Sequence, residues 1–275
     1  RNFTKVVNLM SNSNRNILLL VEGRKREVQL FKKMLEAFPE IGISPENIIS
    51  FETNIWVLYG KLIKEFGQDW YTQGIDFLTF LQNPSIGMNL NGKAFSDIYL
   101  VFDYERQDSN FSDIGLEHMM SFFNNSTENG LLFINYPMVE SYKHIKDFPD
   151  YDYLTRKCNF ADIKEYKKTV GEYSAFNHLT CLDSSFFKEV VKYNLCKCSL
   201  ITKKISQSNY EMIYDNGQVR NITNELIYQI ASEYWFKMDY QEILKLQNSN
   251  SNNYIYVLCT CVFFILEYNS KLIFD

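Results

Sequence analysis

Ile17-Leu18-Leu19-Leu20-Val21-Glu22-Gly23 and Ile98-Tyr99-Leu100-Val101-Phe102-Asp103-Tyr104-Glu105 are the two stretches on which the fold turns. Each apolar run is too short and too rich in β-branched or aromatic residues for a helix, and each ends abruptly in a carboxylate. That pattern reads as a buried parallel strand with an acid at its carboxyl end. In open α/β sheets the ligand crevice lies at those ends. If the two strands are neighbours, Glu22, Asp103 and Glu105 converge. Three acids so close repel one another, and a hard divalent cation would make the arrangement tolerable.

Working outward, strands and helices alternate through the first half. The strand at 16–21 leads into a helical pattern at 25–37, where Val28, Phe31, Met34, Leu35 and Phe38 recur at helical spacing. Pro39 to Pro45 breaks it, and 47–51 reads as a short strand. Helical patterns follow at 54–66 and 69–82, then an Asn/Gly-rich loop over 83–96. The strand at 97–102 precedes a helix at 113–124 and a strand at 131–135, which Pro137 stops. A βαβαβαβ order implies right-handed crossovers and a parallel sheet with helices on both faces. The second half reads as helical at 161–176, 184–194, 222–240 and 253–268. A hairpin is expected around Asp215-Asn216-Gly217 and a loop in the Asn/Ser run at 247–253. The expected division is an α/β domain over 1–150 and a mainly helical domain over 151–275.

A chain of 275 residues can bury a sizeable core. Its formal charge of −5 does not advertise nucleic-acid binding. In a metal enzyme, however, site acids later neutralised by the ion lower that balance. The cysteines Cys158, Cys181, Cys196, Cys198, Cys259 and Cys261 lack both the density of a disulfide scaffold and zinc spacing. They read as small buried hydrophobes. With no secretory signal at the start of the sequence, a reducing cytoplasm is the expected location. The run 254–266 is too short to span a bilayer and reads as a core helix. His118, His144 and His178 are scattered and form no metal or nucleophile pattern.

The joint pattern of acid–Gly after the first strand and Asp-x-acid after the third resembles the TOPRIM domain. That domain is the metal-dependent catalytic fold of topoisomerases, primases and OLD-type nucleases, and the resemblance covers 16 to about 145. It implies that Glu22, Asp103 and Glu105 hold Mg²⁺ or Mn²⁺, as one or two ions. The sequence departs from the family by carrying Glu105 where the family has Asp. Glu27 stands five positions after Glu22 rather than four, and reads either as a second-metal ligand or as a solvated helix acid. Arg24-Lys25-Arg26 opposes a helix dipole in the first turn, which phosphate contact would explain; a solvated charge run is the alternative. Asn135-Tyr136-Pro137 with Glu140 looks like the corresponding stretch of stand-alone TOPRIM proteins of phage-defence operons. On that likeness Glu140 adds a ligand and Lys143 stabilises charge on the scissile phosphate; either could instead be a surface residue.

No Gly-x-x-x-x-Gly-Lys-[Ser/Thr] stretch occurs, so the sequence carries no P-loop of its own. It is similar in this to abortive-infection systems of the PARIS type, where the ATPase is a separate chain and the TOPRIM chain is a toxic effector. The expected function is a metal-dependent nuclease acting on tRNA, other RNA or DNA and held silent by a separate ABC/SMC-type ATPase. A homodimer is expected, with no membrane association. The alternative is a catalytically degenerate TOPRIM subunit that docks on such an ATPase. Tyr228, Tyr234, Trp235 and Phe236 are candidates for a docking or dimer face, or for core.

Overall fold

The computed structural model describes residues 15–90, 92–215, 218–219, 222–249 and 253–275. The first half contains β1 (Ile17–Val21), α1 (Arg26–Ala37), β2 (Ile48–Ser50), α2 (Ile55–Phe66) and α3 (Phe77–Gln82). It continues with β3 (Asp97–Asp103), α4 (Asp113–Phe122), β4 (Asn124–Asn125) and β5 (Gly130–Asn135). These strands form one five-stranded sheet in the order β2-β1-β3-β5-β4. All pairings are parallel except the short antiparallel β4–β5 edge. The protein is therefore α/β with a mostly parallel sheet, and β1 and β3 are direct neighbours, with Val21 opposite Val101.

Every residue of β1, β3 and β5 is buried, so both faces of the sheet are covered. That is why these strands read as unbroken apolar runs rather than alternating ones. The remaining elements are β6 (Lys157–Asn159), α5 (Tyr166–Tyr173), α6 (Ser184–Ile201), α7 (Gln207–Ile213), β7 (Tyr214–Asp215) and β8 (Gln218–Val219). They end with α8 (Asn224–Trp235), α9 (Tyr240–Asn248), β9 (Tyr254–Tyr256), α10 (Phe264–Asn269) and α11 (Lys271–Phe274). Tyr99 of β3 stacks on Phe133 of β5 and meets Phe264 of α10 edge-on, while Phe264 in turn meets Phe31 of α1. One face of the sheet is thus covered jointly by α1 and by the chain's last helices. The hydrophobic core runs without interruption from Ile17 to Ile273, across the expected boundary near residue 150.

Three helical expectations resolve differently. The apolar run 253–268 is not one core helix. Tyr254–Tyr256 alternates, and β9 pairs antiparallel with β6, placing Ile255 opposite Cys158; a 3₁₀ turn at Thr260–Phe263 follows, then α10. The pattern 222–240 splits because the Asp239 side chain accepts from the amides of Gln241 and Glu242, starting α9 afresh. The pattern 69–82 becomes a 3₁₀ turn at Trp70–Thr72 followed by α3, which Asp76 caps through the Thr79 amide. The hairpin exists as β7 paired with β8. Its turn residues Asn216 and Gly217 lie outside the described residues, as do 250–252 of the Asn/Ser run.

Candidate metal centre

Glu22 follows β1 directly, and its backbone continues the pairing by one step, with its amide donating to the Val101 carbonyl at 3.1 Å. Its side chain turns to the neighbouring strand end, where Oε2 accepts the Asp103 amide at 3.0 Å. Asp103 closes β3, and its Oδ1 accepts the Val139 amide at 2.8 Å. Two residues later Glu105 adopts a left-handed backbone, φ 47°, unusual for a side chain longer than Asn or Asp. The Gln107 side chain donates to Glu105 Oε2 at 2.7 Å. Glu22, Asp103 and Glu105 each offer a carboxylate oxygen within 4.8 Å of the others. The strands bring together the three acids expected from the sequence, and the cluster could bind a metal ion.

Electrostatics fits that use. Burial pushes the Glu22 carboxyl up to about 8, against the pull of the Asp103 amide, and the charges of Glu105 and Glu27 add to the push. Asp103 is raised well above the carboxylate range by burial first, then by Glu22, Glu27, Glu140 and Glu105. Glu105 is raised by burial and by Asp108. Acids that resist ionisation together have an unmet demand for positive charge, which a hard cation meets.

The flanking candidates sort into two groups. Glu27, in the first turn of α1, is buried, and its carboxyl is raised by burial and by Glu140 while Lys167 and Arg26 oppose the rise. A Cβ on Gly23 would collide with the Glu27 carboxylate. The glycine therefore permits this close approach; it is not there to supply a positive φ. Glu140, nearly inaccessible, is ion-paired through Oε1 to Lys167 Nζ at 2.6 Å and to Arg26 Nε at 3.7 Å. Lys143 is buried and donates to Asn177 Oδ1 at 2.8 Å. Glu140 and Lys143 are thus not the surface residues of the simpler reading. Of the basic run, only Arg26 lies in α1. Lys25 is its N-cap and is exposed, and Arg24 precedes it in an exposed ion pair with Glu52. The dipole penalty expected for three cations falls on two, Lys25 at the N-cap and Arg26 in the first turn.

Asn135 escaped the sequence reading as a packing element of the site. It ends β5 directly opposite Asp103, and its Oδ1 accepts the Cys261 amide at 3.2 Å. Thr260 donates to the Ile134 carbonyl at 2.6 Å, and Tyr136 and Leu258 exchange backbone hydrogen bonds at 2.8 Å. The chain's last segment is therefore sewn to the strand that flanks the acid cluster. Long-range pairing of this kind leaves no local sequence signal.

The cysteines are free, and all but Cys181 are buried, as expected of small hydrophobes. His144 Nδ1 lies 2.9 Å from the Tyr166 hydroxyl, and burial pushes its pKa down to about 3. His118 stacks on Tyr71 at 3.6 Å. Tyr234 and Trp235 are core, whereas Tyr228 and Phe236 are exposed. No helix among the described residues is long and apolar enough to cross a membrane. Comparison with protein-family models, with curated proteins and with solved structures yields no match.

Proposed function

We propose that this protein is a metal-dependent nuclease of TOPRIM type, cleaving phosphodiester bonds in RNA or DNA. The observation that carries the reading is the convergence of Glu22, Asp103 and Glu105 at the carboxyl ends of two adjacent parallel strands. The mostly parallel sheet is compatible with the fold the resemblance implies, and the acid–Gly and Asp-x-acid stretches stand at the ends of β1 and β3. A divalent cation held by these three acids supplies Lewis-acid stabilisation of charge developing on the phosphoryl group.

The protein's own residues do the rest. The Asp103 amide and the Val139 amide fix the two carboxylates at the strand ends, so that they need little reorganisation when charge arrives. The glycine at 23 lets Glu27 press in beside them. Lys143, held by Asn177 and shielded from water, stands beside Glu140, and its role at a phosphate oxygen rests on the likeness to stand-alone TOPRIM chains. Toxic-effector action restrained by a separate ABC/SMC-type ATPase rests on the likeness to abortive-infection TOPRIM chains.

The deciding experiment is incubation with Mg²⁺ or Mn²⁺ against total tRNA and plasmid DNA in parallel, with Glu22→Ala as control. Cleavage lost in the variant supports the reading. A wild-type protein that binds Mn²⁺ yet cuts neither substrate would assign the regulatory alternative. Co-expression with the candidate ATPase then reads the partner: toxicity of the free chain, relieved by the complex, is the expected result.

A further inference from the structure

Beside the acid cluster lies a second cluster of opposite sign. Glu140 is 2% exposed, and two cations address the same oxygen of its carboxylate. Arg26 comes from α1 and is 31% exposed, whereas Lys167 comes from α5, far along the chain, and is 62% exposed. An ammonium has three N–H donors and a guanidinium five, so one carboxylate oxygen leaves most of them uncommitted. Lys143 stands in the same neighbourhood: burial pushes its pKa down, and the Arg26 and Lys167 charges push the same way, against Glu140. Arg26, Lys143 and Lys167 thus crowd around a single buried acid, whose charge acts on both Glu27 and Asp103.

The backbone beneath Lys167 is held firmly. Tyr166 pairs with His144 at 2.9 Å, Ser174 Oγ donates to the Ile145 carbonyl at 3.2 Å, and the Ala175 amide donates to the Lys146 carbonyl at 2.9 Å. Lys167 and Lys168 lie in the first turn of α5, directly after Tyr166 and the N-cap residue Glu165.

Resting on the nuclease reading, we infer that Arg26 and Lys167, both tied to Glu140, clamp a backbone phosphate of the nucleic acid beside the acid cluster. Glu140 is then their positioning residue and not a metal ligand. The clamp spans both halves of the chain and makes α5 part of the substrate surface. A phosphate satisfies the uncommitted donors and neutralises the local excess of positive charge.

The two roles of Glu140 predict opposite signs. Removing an acid next to a phosphate ordinarily strengthens nucleic-acid binding; removing an anchor weakens it. The test measures binding of short fluorescein-labelled RNA and DNA oligonucleotides to full-length Glu22→Gln protein across a salt series. Free Mn²⁺ is followed in parallel by paramagnetic resonance on the same substitutions made in protein that keeps Glu22, and thermal melts confirm the folding of each. Adding Lys167→Met should weaken oligonucleotide binding about tenfold and lower the salt slope by about 1, and Lys167→Arg should restore both. Adding Glu140→Gln should also weaken oligonucleotide binding and leave Mn²⁺ affinity unchanged. Tighter oligonucleotide binding with Glu140→Gln, or a severalfold loss of Mn²⁺ affinity, would overturn the assignment, as would unchanged affinity with Lys167→Met. If the parent protein binds no oligonucleotide at all, the nuclease reading itself falls; if it binds and only the Lys167 and Glu140 results fail, the clamp alone falls.

Discussion

The main-chain amide of Asp103 donates to the side chain of Glu22 at 3.0 Å, so one acid of the candidate metal centre is positioned by the backbone of another. The bond needs only an acceptor at Glu22, while a cation needs the charge. The two demands are therefore separable by mutation.

Glu22→Gln keeps an oxygen for the Asp103 amide and deletes the charge. In metal-free buffer near pH 8 the variant should melt higher than the wild type, because the repulsion from Glu105 and Glu27 is gone. Mg²⁺ should raise the melting temperature of the wild type and not of the variant, and cleavage should vanish. Calorimetry with and without Mg²⁺ checks the first two. A variant that cuts at the wild-type rate would remove Glu22 from the chemistry.

Glu22 in the folded protein titrates at about 8, raised from an ordinary 4.5. Between those values the folded state keeps a proton that the unfolded chain has released. Linkage then makes metal-free stability fall as pH rises through that window, by on the order of a few kcal/mol; Asp103, Glu27 and Glu105 shift in the same direction. The expected observation in EDTA is a melting temperature that declines from pH 5 to pH 8. Excess Mg²⁺ should flatten or reverse the decline, since a ligand of the folded state alone stabilises it by mass action. A melting temperature that rises with pH in EDTA would contradict the burial of these acids.

How much of this was legible in the sequence follows from which interactions are local. The strands announced themselves because β1 and β3 are covered on both faces, and an unbroken apolar run of five residues ending in an acid has few other readings. Glu22 and Asp103 were visible because each ends such a run. Glu105 followed at a fixed offset, though its left-handed backbone did not. The run 253–268 misled because hydrophobicity alone does not separate a buried helix from a strand with a 3₁₀ turn, and only the distant partner Lys157–Asn159 settles it. The ion pair of Lys167 with Glu140 was invisible for the same reason.

Gly23 makes room for the Glu27 carboxylate. Gly23→Ala displaces the far end of a flexible but buried side chain and should cost on the order of 1 kcal/mol, the low end for an extra carbon in a packed site. In a Glu27→Ala background the same change should cost much less, and the difference is the coupling between the two positions. Chemical denaturation of the four proteins measures it. Equal costs in both backgrounds would mean that the backbone, and not Glu27, requires the glycine.

Asn135 links the site to the last segment of the chain, and Tyr104 links it to the end of α9. Asn135 Oδ1 receives the Cys261 amide beside Asp103, whereas the Tyr104 hydroxyl donates to Asn248 Oδ1 at 2.8 Å. Asn135→Ala leaves a buried amide without its acceptor and opens space against Asp103, so stability should fall by about 1–3 kcal/mol. Mg²⁺ affinity should fall with it, because Asp103 loses its packed neighbour at the end of β5. Tyr104→Phe removes one hydrogen bond to the end of α9 without touching the strand end. Its stability should fall by about 1 kcal/mol with Mg²⁺ affinity unchanged. Thermal melts paired with Mg²⁺ titrations on both variants separate the effects. If Asn135→Ala costs stability and leaves Mg²⁺ affinity intact, the last segment braces the fold and has no part in shaping the metal centre.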